Sequence, residues 1–206
     1  MKTKKVGIMG GTFNPIHNGH LLLAETARTQ FTLDEILFIP SGHPYMKQNM
    51  QILPGKIRAE MIALAIENHP FYALSMMEIE RPGNTYTYET LEELAGKNPD
   101  TEYYFILGAD SLFALEKWRN PQRIFHACTI LAAVRGQNHR SSMEELQAEA
   151  ERLRKKYRGK IELLHCQNID ISSTMVRERI RKGESVRELI PDKVIEYVEM
   201  HQFYRE

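Results

Sequence analysis

Runs of apolar residues alternate along the chain with segments in which apolar residues recur every three or four positions. The continuous runs predict strands, and the spacing of three or four predicts helices. Strands are predicted over residues 5–9, 36–40, 72–79, 103–108, 129–134 and 161–166. Helices are predicted over residues 21–29, 57–68, 88–95, 142–157, 174–182 and 192–200.

This alternation indicates the fold class. Several strands are continuous apolar runs, which are typical of parallel strands covered on both faces. Strand–helix–strand units with right-handed crossover connections build a doubly wound sheet. We therefore expect an α/β protein with a doubly wound parallel sheet. The chain is predicted to be one domain over residues 1–206, with about 171–206 forming a small helical C-terminal cap.

Composition and charge narrow the classes of partner. The chain has 206 residues, with 27 Lys+Arg against 27 Asp+Glu, so its formal net charge is zero. General nucleic-acid binders and membrane-surface proteins usually carry a basic excess. No apolar run approaches the roughly 18 residues of a membrane span, and the apolar stretch behind the basic amino terminus is only as long as a strand. We expect no signal peptide, no membrane or nucleic-acid partner, and a cytoplasmic location.

The two cysteines agree with that compartment. Cys128 and Cys166 each fall inside an apolar, strand-like run. Cysteine is among the most frequently buried residues, and disulfides are rare in the cytoplasm. We expect both side chains to be reduced and buried.

The strongest candidate for chemistry follows the first predicted strand. Residues 10–20 read Gly-Gly-Thr-Phe-Asn-Pro-Ile-His-Asn-Gly-His. A Gly-Gly turn lets a ligand approach the backbone, and a helix N-terminus attracts anions. His17 and His20 are three positions apart, so they share one helix face. The stretch predicts a phosphate site with two imidazoles, whereas the alternative is that Asn18 caps the helix and both histidines lie on the surface.

Two further segments add polar groups at the ends of predicted elements. Residues 171–177 read Ile-Ser-Ser-Thr-Met-Val-Arg, which places hydroxyls at a helix start and Arg177 on the same face. Such groups hold phosphates by charge-assisted hydrogen bonds, although a simple Ser/Thr cap with a solvated basic face is the alternative. Asp110 follows Gly108 at a strand end, where its carboxylate suits a ribose hydroxyl or the cap of the next helix.

Taken together, these segments resemble the nucleotidyltransferase superfamily. Residues 17–20 match its Thr/His-x-Gly-His signature, and residues 171–177 match its Ile-Ser-x-Thr-x-x-Arg motif. The resemblance implies a Rossmann-like fold and transfer of a nucleotidyl group from a nucleoside triphosphate, with His17 and His20 stabilising the transition state. The ATP-binding residues that it implies are Gly10, Gly11, Thr12, Phe13, Gly108, Asp110, Ile171, Ser172, Ser173, Thr174 and Arg177.

Residues 81–91 and 115–125 resemble segments of the bacterial nicotinate mononucleotide adenylyltransferases. The resemblance implies that Trp118 stacks on the pyridine ring and that backbone N–H groups of a few residues lie near its carboxylate. Without this resemblance, Trp118 would be interpreted as a core or cap-packing residue, and Arg135 equally as a surface residue. The backbone N–H groups that the resemblance places near the pyridine carboxylate belong to Thr87, Tyr88 and Arg119. The nicotinate mononucleotide-binding residues that the resemblance implies are Lys47, Thr87, Tyr88, Trp118, Arg119 and Arg135.

The segment after the second strand departs from the family pattern. The family commonly reads Pro-Pro-His-Lys, whereas this chain reads Pro-Tyr-Met-Lys at residues 44–47. Met46 cannot donate a hydrogen bond or carry charge. A phosphate contact from that position is lost, or it passes to Lys47 or His43.

The resemblance implies a complete reaction. ATP and nicotinate mononucleotide give deamido-NAD and pyrophosphate, with Mg²⁺ held by substrate oxygens and water, and with no dedicated protein metal site. The alternatives are a related adenylyl- or cytidylyltransferase for another phosphorylated acceptor, and a nucleotide-sensing module without catalysis. The oligomeric state is open, with a homo-oligomer among the outcomes.

Overall fold

The computed structural model describes residues 3–43, 52–133, 143–166 and 170–205. The strands in these ranges are β1 (Lys4–Gly11), β2 (Glu35–Pro40), β3 (Tyr72–Leu74), β4 (Thr101–Gly108), β5 (Thr129–Ala133) and β6 (Lys160–Leu164). The helices are α1 (Asn18–Phe31), α2 (Gly55–Ile66), α3 (Met77–Glu80), α4 (Thr87–Lys97), α5 (Ala109–Ala114), α6 (Pro121–Ala127), α7 (Met143–Tyr157), α8 (Ser173–Arg181) and α9 (Asp192–Met200). A 3-10 turn, Leu115–Lys117, follows α5.

The strands form one parallel sheet in the order β3-β2-β1-β4-β5-β6. This is the order of a doubly wound, Rossmann-like sheet, so the predicted fold class is confirmed. The direction of winding reverses between β1 and β4, which are hydrogen-bonded neighbours. Ligands of such sheets bind outside the carboxyl ends of the strands at this point.

Helices cover both faces of the sheet. Ile8 and Met9 are neighbours on β1, yet each packs in a different core cluster because strand side chains alternate between faces. Met9 packs with residues of α1, α2, α8 and α9, and Ile8 packs with residues of α4, α5, α6 and α7. Burial on both faces explains why the strands read as continuous apolar runs.

The C-terminal helices belong to the same core layer as the first two helices. Val176 on α8 and Val194 on α9 are fully buried in the cluster that includes Leu23 of α1 and Met61 of α2. The backbone N–H of Asn18 donates to the Leu189 carbonyl at 2.8 Å. The C-terminal segment therefore fastens the start of α1.

The predicted strand over residues 72–79 is wrong beyond its first three residues. β3 pairs with β2 only from Tyr72 to Leu74, and the chain then turns into α3. β3 is an edge strand, so few ladder bonds hold its apolar sequence extended. The sequence also missed α5 and α6, which have six and seven residues and are too short to show a clear helical period.

Both cysteines are free, as predicted, whereas the predicted burial holds for Cys128 and fails for Cys166. Cys128 is buried, and burial raises the pKa of its thiol to about 12. Cys166 is only partly buried, because β6 ends at Leu164 and the chain has left the sheet before it. Neither cysteine lies within a strand, and no disulfide joins them.

Within the described ranges, none of the helices has the length and apolar character needed to cross a membrane.

A polar cluster fastens α1 to the edge strand. The Glu25 carboxylate accepts from the Arg28 guanidinium at 2.6 and 2.9 Å and from the Tyr72 hydroxyl at 2.9 Å. These bonds favour the ionised carboxylate, so they lower the pKa of Glu25 to about 2.

We predict that Glu25→Gln lowers the free energy of unfolding by about 1 kcal/mol at pH 7, the size expected for a solvent-accessible ion pair. The pKa of Glu25 is about 2 in the folded state, against an ordinary value of 4.5. The stabilisation is therefore complete above pH ~4.5 and is lost as the pH falls toward ~2. Urea denaturation at pH 7 and pH 3 should show a smaller difference between wild type and variant at pH 3, and an equal difference would contradict this account.

Candidate active site

Two cavities adjoin at the carboxyl ends of β1 and β4. The first, which we call the histidine lobe, has a volume of about 320 Å³ and contains His17, His20 and Arg177 in its lining. The second, the tryptophan lobe, has a volume of about 470 Å³ and contains Thr87 and Arg119. Both are lined by Gly10, Gly11, Thr12, Phe105, Ser111 and Trp118. The two lobes therefore form one cleft at the predicted place in the sheet.

The two histidines stack against each other at the start of α1. Their ring centroids are 3.6 Å apart, and the His17 backbone N–H donates to His20 Nδ1 at 3.2 Å. Because His20 Nδ1 accepts, the neutral ring carries its proton on Nε2 and can donate to a ligand. His17 is the N-cap of α1 and is only 2% exposed, so the alternative of an Asn18 cap with surface histidines is wrong.

The two glycines at the end of β1 allow aromatic rings to pack against the backbone. A Cβ on Gly10 would lie 3.2 Å from the Phe105 ring, and one on Gly11 would lie 3.1 Å from the Phe13 ring. Phe13 itself has a φ of 51°, a left-handed conformation that costs energy outside glycine. Its buried ring lies 4.9 Å from the His20 ring. The turn thus supports the imidazole while it lines the histidine lobe.

Side chains of α8 hold this turn in place. Ser173 Oγ donates to the Pro15 carbonyl at 2.9 Å, and Arg177 Nη1 donates to the Asn14 carbonyl at 2.9 Å. The residues joined by these two bonds are 158 and 163 positions apart in the sequence. The structure therefore brings the two predicted phosphate-binding segments into a single site.

The other residues of that segment are divided between the lobe and the core. Ser172 is the N-cap of α8, and Thr174 Oγ1 accepts from Arg177 Nη2 at 3.3 Å. Both line the histidine lobe, as does Gly108 at the end of β4. Ile171 instead packs against the core, and its side chain is not part of the lobe's lining.

The charge of the histidine lobe suits a polyanion. The N-termini of α1 and α8 meet there, and Arg177 adds a guanidinium. Among the described residues that line it, no side chain is a carboxylate. Helix N-termini, imidazoles and a guanidinium all favour bound phosphate.

The N-terminus of α4 opens onto the tryptophan lobe. Tyr86 is its N-cap, and the Tyr86 carbonyl accepts from the N–H groups of Glu89 and Thr90 at 3.1 and 3.2 Å. By helix geometry, the preceding N–H groups of Thr87 and Tyr88 have no partner within the helix. The Tyr88 side chain is buried in the core, and Tyr88 is not part of the lobe's lining, whereas Thr87 is.

Trp118 stands where the two lobes meet. Its ring packs edge-on against Phe105, with centroids 6.1 Å apart, and it lines both cavities. The Arg119 guanidinium lies 5.2 Å from the centre of the Tyr86 ring, at the same lobe. Asp110 lines the tryptophan lobe. It does not cap α5, because the N-cap of that helix is Gly108.

Sequence patterns did not reveal one buried and one partly buried charged residue near the cleft. Arg58 lies on the apolar face of α2 and is 1% exposed, and its four- and seven-residue spacing from Ile62 and Ala65 could have revealed it. Glu78 lines the tryptophan lobe and accepts from the Thr90 hydroxyl at 2.7 Å, and burial raises its pKa. The incorrect strand prediction over residues 72–79 concealed Glu78.

Three positions with predicted or discussed roles lie outside the described residues. They are Met46, Lys47 and Arg135. His43, the alternative to Lys47, is exposed and is not part of either lobe's lining.

Known proteins resemble this chain in sequence and in fold. The cytidylyltransferase-like family model matches residues 8–179. A probable nicotinate-nucleotide adenylyltransferase of Lachnoclostridium phytofermentans is 48% identical over 201 residues, covering 98% of this chain and 99% of that protein. One of the same name from Clostridium acetobutylicum is 39% identical over 201 residues, with the same coverage.

Solved structures show the same fold at lower identity. The nicotinic acid mononucleotide adenylyltransferase of Plasmodium falciparum, complexed with NaAD, superposes with a TM-score of 0.79 at 19% identity and covers 98% of this chain and 97% of that chain. A putative nicotinate-nucleotide adenylyltransferase from Vibrio parahaemolyticus has a TM-score of 0.70 at 21% identity, covering 98% of this chain and 96% of that chain.

We predict that Gly42→Ala disturbs the wall of the tryptophan lobe. A Cβ there would overlap the Glu78 backbone carbonyl, which cannot move without shifting α3. The free energy of unfolding should fall by about 1–3 kcal/mol, as in other overpacked sites. Gly96→Ala is the matched control, because its Cβ would meet nothing within 4 Å. Urea denaturation that finds both variants equally stable would contradict this contact.

Proposed function

The chain belongs to the cytidylyltransferase-like family, among the nicotinate-nucleotide adenylyltransferases, and we propose that it transfers the adenylyl group of ATP to nicotinate mononucleotide. The products are nicotinate adenine dinucleotide (deamido-NAD) and pyrophosphate, which makes the enzyme part of NAD biosynthesis. The observation that carries the proposal is a pair of adjoining lobes with different chemistry, one for polyphosphate and one for a planar ring with a carboxylate.

ATP binds with its triphosphate in the histidine lobe. The N-termini of α1 and α8, the two imidazoles and Arg177 surround this space, and all of them attract anions. Among the described residues, Arg177 donates one bond from Nη1 and one from Nη2, which leaves further guanidinium N–H groups for a phosphate.

Nicotinate mononucleotide binds with its pyridine ring in the tryptophan lobe. Trp118 offers an aromatic surface, and Leu91, Phe105 and Ile124 add apolar walls. The pyridine carboxylate lies at the N-terminus of α4, where the N–H groups of residues 87–88 have no acceptor within the helix and can donate to it. N–H donors and a helix dipole favour a carboxylate over an uncharged carboxamide, which supports selection of the acid mononucleotide.

The chemical step is an in-line displacement at phosphorus. An oxygen of the acceptor's 5′-phosphate attacks the α-phosphorus of ATP, and the bond from that phosphorus to the α–β bridging oxygen breaks. The bonding electrons leave with pyrophosphate. His17 and His20 stabilise the negative charge that builds on the α-phosphoryl oxygens, with His20 Nε2 as a donor. No protein nucleophile takes part.

Mg²⁺ enters this reaction as part of the ATP substrate. In the described part of the chain, no three His, Cys, Asp or Glu side chains come together as metal ligands. The donors of the histidine lobe are hydroxyls and nitrogens rather than carboxylates, which fits an ion held by phosphate oxygens and water. When bound, the ion neutralises phosphate charge.

We predict that His20→Ala lowers kcat for pyrophosphate release by about 10²–10³, because one donor to the developing charge is lost. The KM for nicotinate mononucleotide should change little, since the acceptor's ring binds in the other lobe. His126→Ala is the control, because His126 is exposed on α6. Steady-state assays with ATP and nicotinate mononucleotide decide the matter, and a folded His20→Ala protein with wild-type kcat would exclude the role.

We predict that Trp118→Leu raises the KM for nicotinate mononucleotide about tenfold, which corresponds to roughly 1.4 kcal/mol of lost stacking. The assay should include nicotinamide mononucleotide and phosphopantetheine as rival acceptors, since each tests an alternative function. Fastest turnover with phosphopantetheine would point to a different transferase. Binding of ATP without pyrophosphate release under any condition would point to a sensor.

A further inference from the structure

Arg58 is a charged side chain buried in the middle of the fold. It is 1% exposed, on the face of α2 that packs against the sheet. Removing a guanidinium from water is costly unless its N–H groups find acceptors. In the described part of the chain, its hydrogen-bond acceptors are all backbone carbonyls.

The acceptors belong to three different segments. Arg58 Nη1 donates to the Thr12 carbonyl at 2.6 Å, and Nη2 donates to the carbonyls of Ser41 at 2.5 Å and Gly42 at 3.2 Å. Nε donates to the Leu53 carbonyl at 2.9 Å. A planar guanidinium can serve all of these directions at once, whereas a lysine ammonium is a compact charge without a fixed fork.

Two of these segments follow the neighbouring strands β1 and β2 at the carboxyl edge of the sheet, and both line the reaction cleft. Thr12 lines both lobes, and Ser41 lines the tryptophan lobe. Gly42 packs directly against the Glu78 backbone carbonyl, and Glu78 also lines the tryptophan lobe. Arg58 itself is not part of the lining of either lobe, so it cannot act by touching a substrate there.

We infer that Arg58 is a positioning residue for adenylyl transfer. Its guanidinium fixes the turn at Thr12, which lines both lobes, relative to residues 41–42 at the tryptophan lobe. The distance between the attacking phosphate and the α-phosphorus then depends on these bonds. This inference rests on the proposed function, because it requires two substrates that react across the cleft.

A positioning role has a kinetic signature that a purely structural role lacks. A misplacement of about 1 Å between reacting groups can cost about 10² in rate. Each substrate still keeps its own contacts, so its KM should be nearly unchanged. A residue that only stabilises the fold would instead lower the melting temperature and leave kcat per folded molecule intact.

The test compares Arg58→Lys and Arg58→Met with wild type. Each protein is assayed for kcat, for the KM of ATP and of nicotinate mononucleotide, and for its melting temperature. We expect kcat to fall about 10²-fold in Arg58→Met, with a smaller loss in Arg58→Lys, which keeps the charge and serves some of the carbonyls. Both KM values should stay within about threefold, because the substrate contacts are intact.

Arg154→Met is the matched control. Arg154 is partly buried, and its Nε donates to the Ile161 carbonyl at 2.8 Å on the far side of β5 from the cleft. The Arg154→Met substitution therefore removes a guanidinium from a backbone carbonyl without changing a residue that lines either lobe. Its melting temperature should fall while its kcat stays at the wild-type value.

Each outcome decides for or against the inference. Wild-type kcat in folded Arg58→Lys and Arg58→Met overturns it, as does a rise in one KM with kcat unchanged. If Arg58→Met does not fold, Arg58→Lys carries the same test because it retains the buried charge. A wild-type protein that releases no pyrophosphate overturns the proposed function and the positioning role together, whereas an active wild type with unchanged variants overturns the positioning role alone.

Discussion

The rest of the structure depends on how the backbone carbonyl groups of the turn after β1 find hydrogen-bond donors. Residues 12–15 lie outside regular structure, and their buried carbonyl groups need hydrogen-bond donors. Arg58, Ser173 and Arg177 supply these donors from positions 46, 158 and 163 residues away. One short turn therefore joins the acceptor-side wall, the ATP-side helix and the start of α1. The same bonds that hold the fold together also place the groups that meet the substrates.

This constraint explains why the cleft has two lobes. The turn lies at the carboxyl end of β1, where the winding of the sheet reverses, so helices from both layers converge on it. On one side, α1 and α8 present their N-termini and the stacked histidines. On the other side, α4 presents its N-terminus beside Trp118. Transfer between two phosphorylated substrates requires that these sides keep a constant spacing.

Local patterns predicted the fold, and they singled out the two segments that meet in the histidine lobe. The alternation of apolar runs and helical periods is a local property, and so is the spacing of His17 and His20, which the structure stacks together. The bonds from Arg58 to the Thr12 and Ser41 carbonyls, 46 and 17 residues away, depend on tertiary packing, which no local pattern records. The failure over residues 72–79 has a related cause, because β3 pairs with β2 on one side only and the chain leaves the sheet after Leu74 to enter α3. The roles assigned to individual site residues stay predictions.

The central claim is that adenylyl transfer occurs where the two lobes meet, beside Thr12, Ser111 and Trp118. A crystal structure of the protein with nicotinate adenine dinucleotide bound tests it most directly. The account predicts the pyridine ring against Trp118 with its carboxylate at the N-terminus of α4. It places the α-phosphate of the adenylyl group within hydrogen-bond distance of His20 Nε2. A dinucleotide bound with its pyridine ring in the histidine lobe, or outside both lobes, would contradict the account.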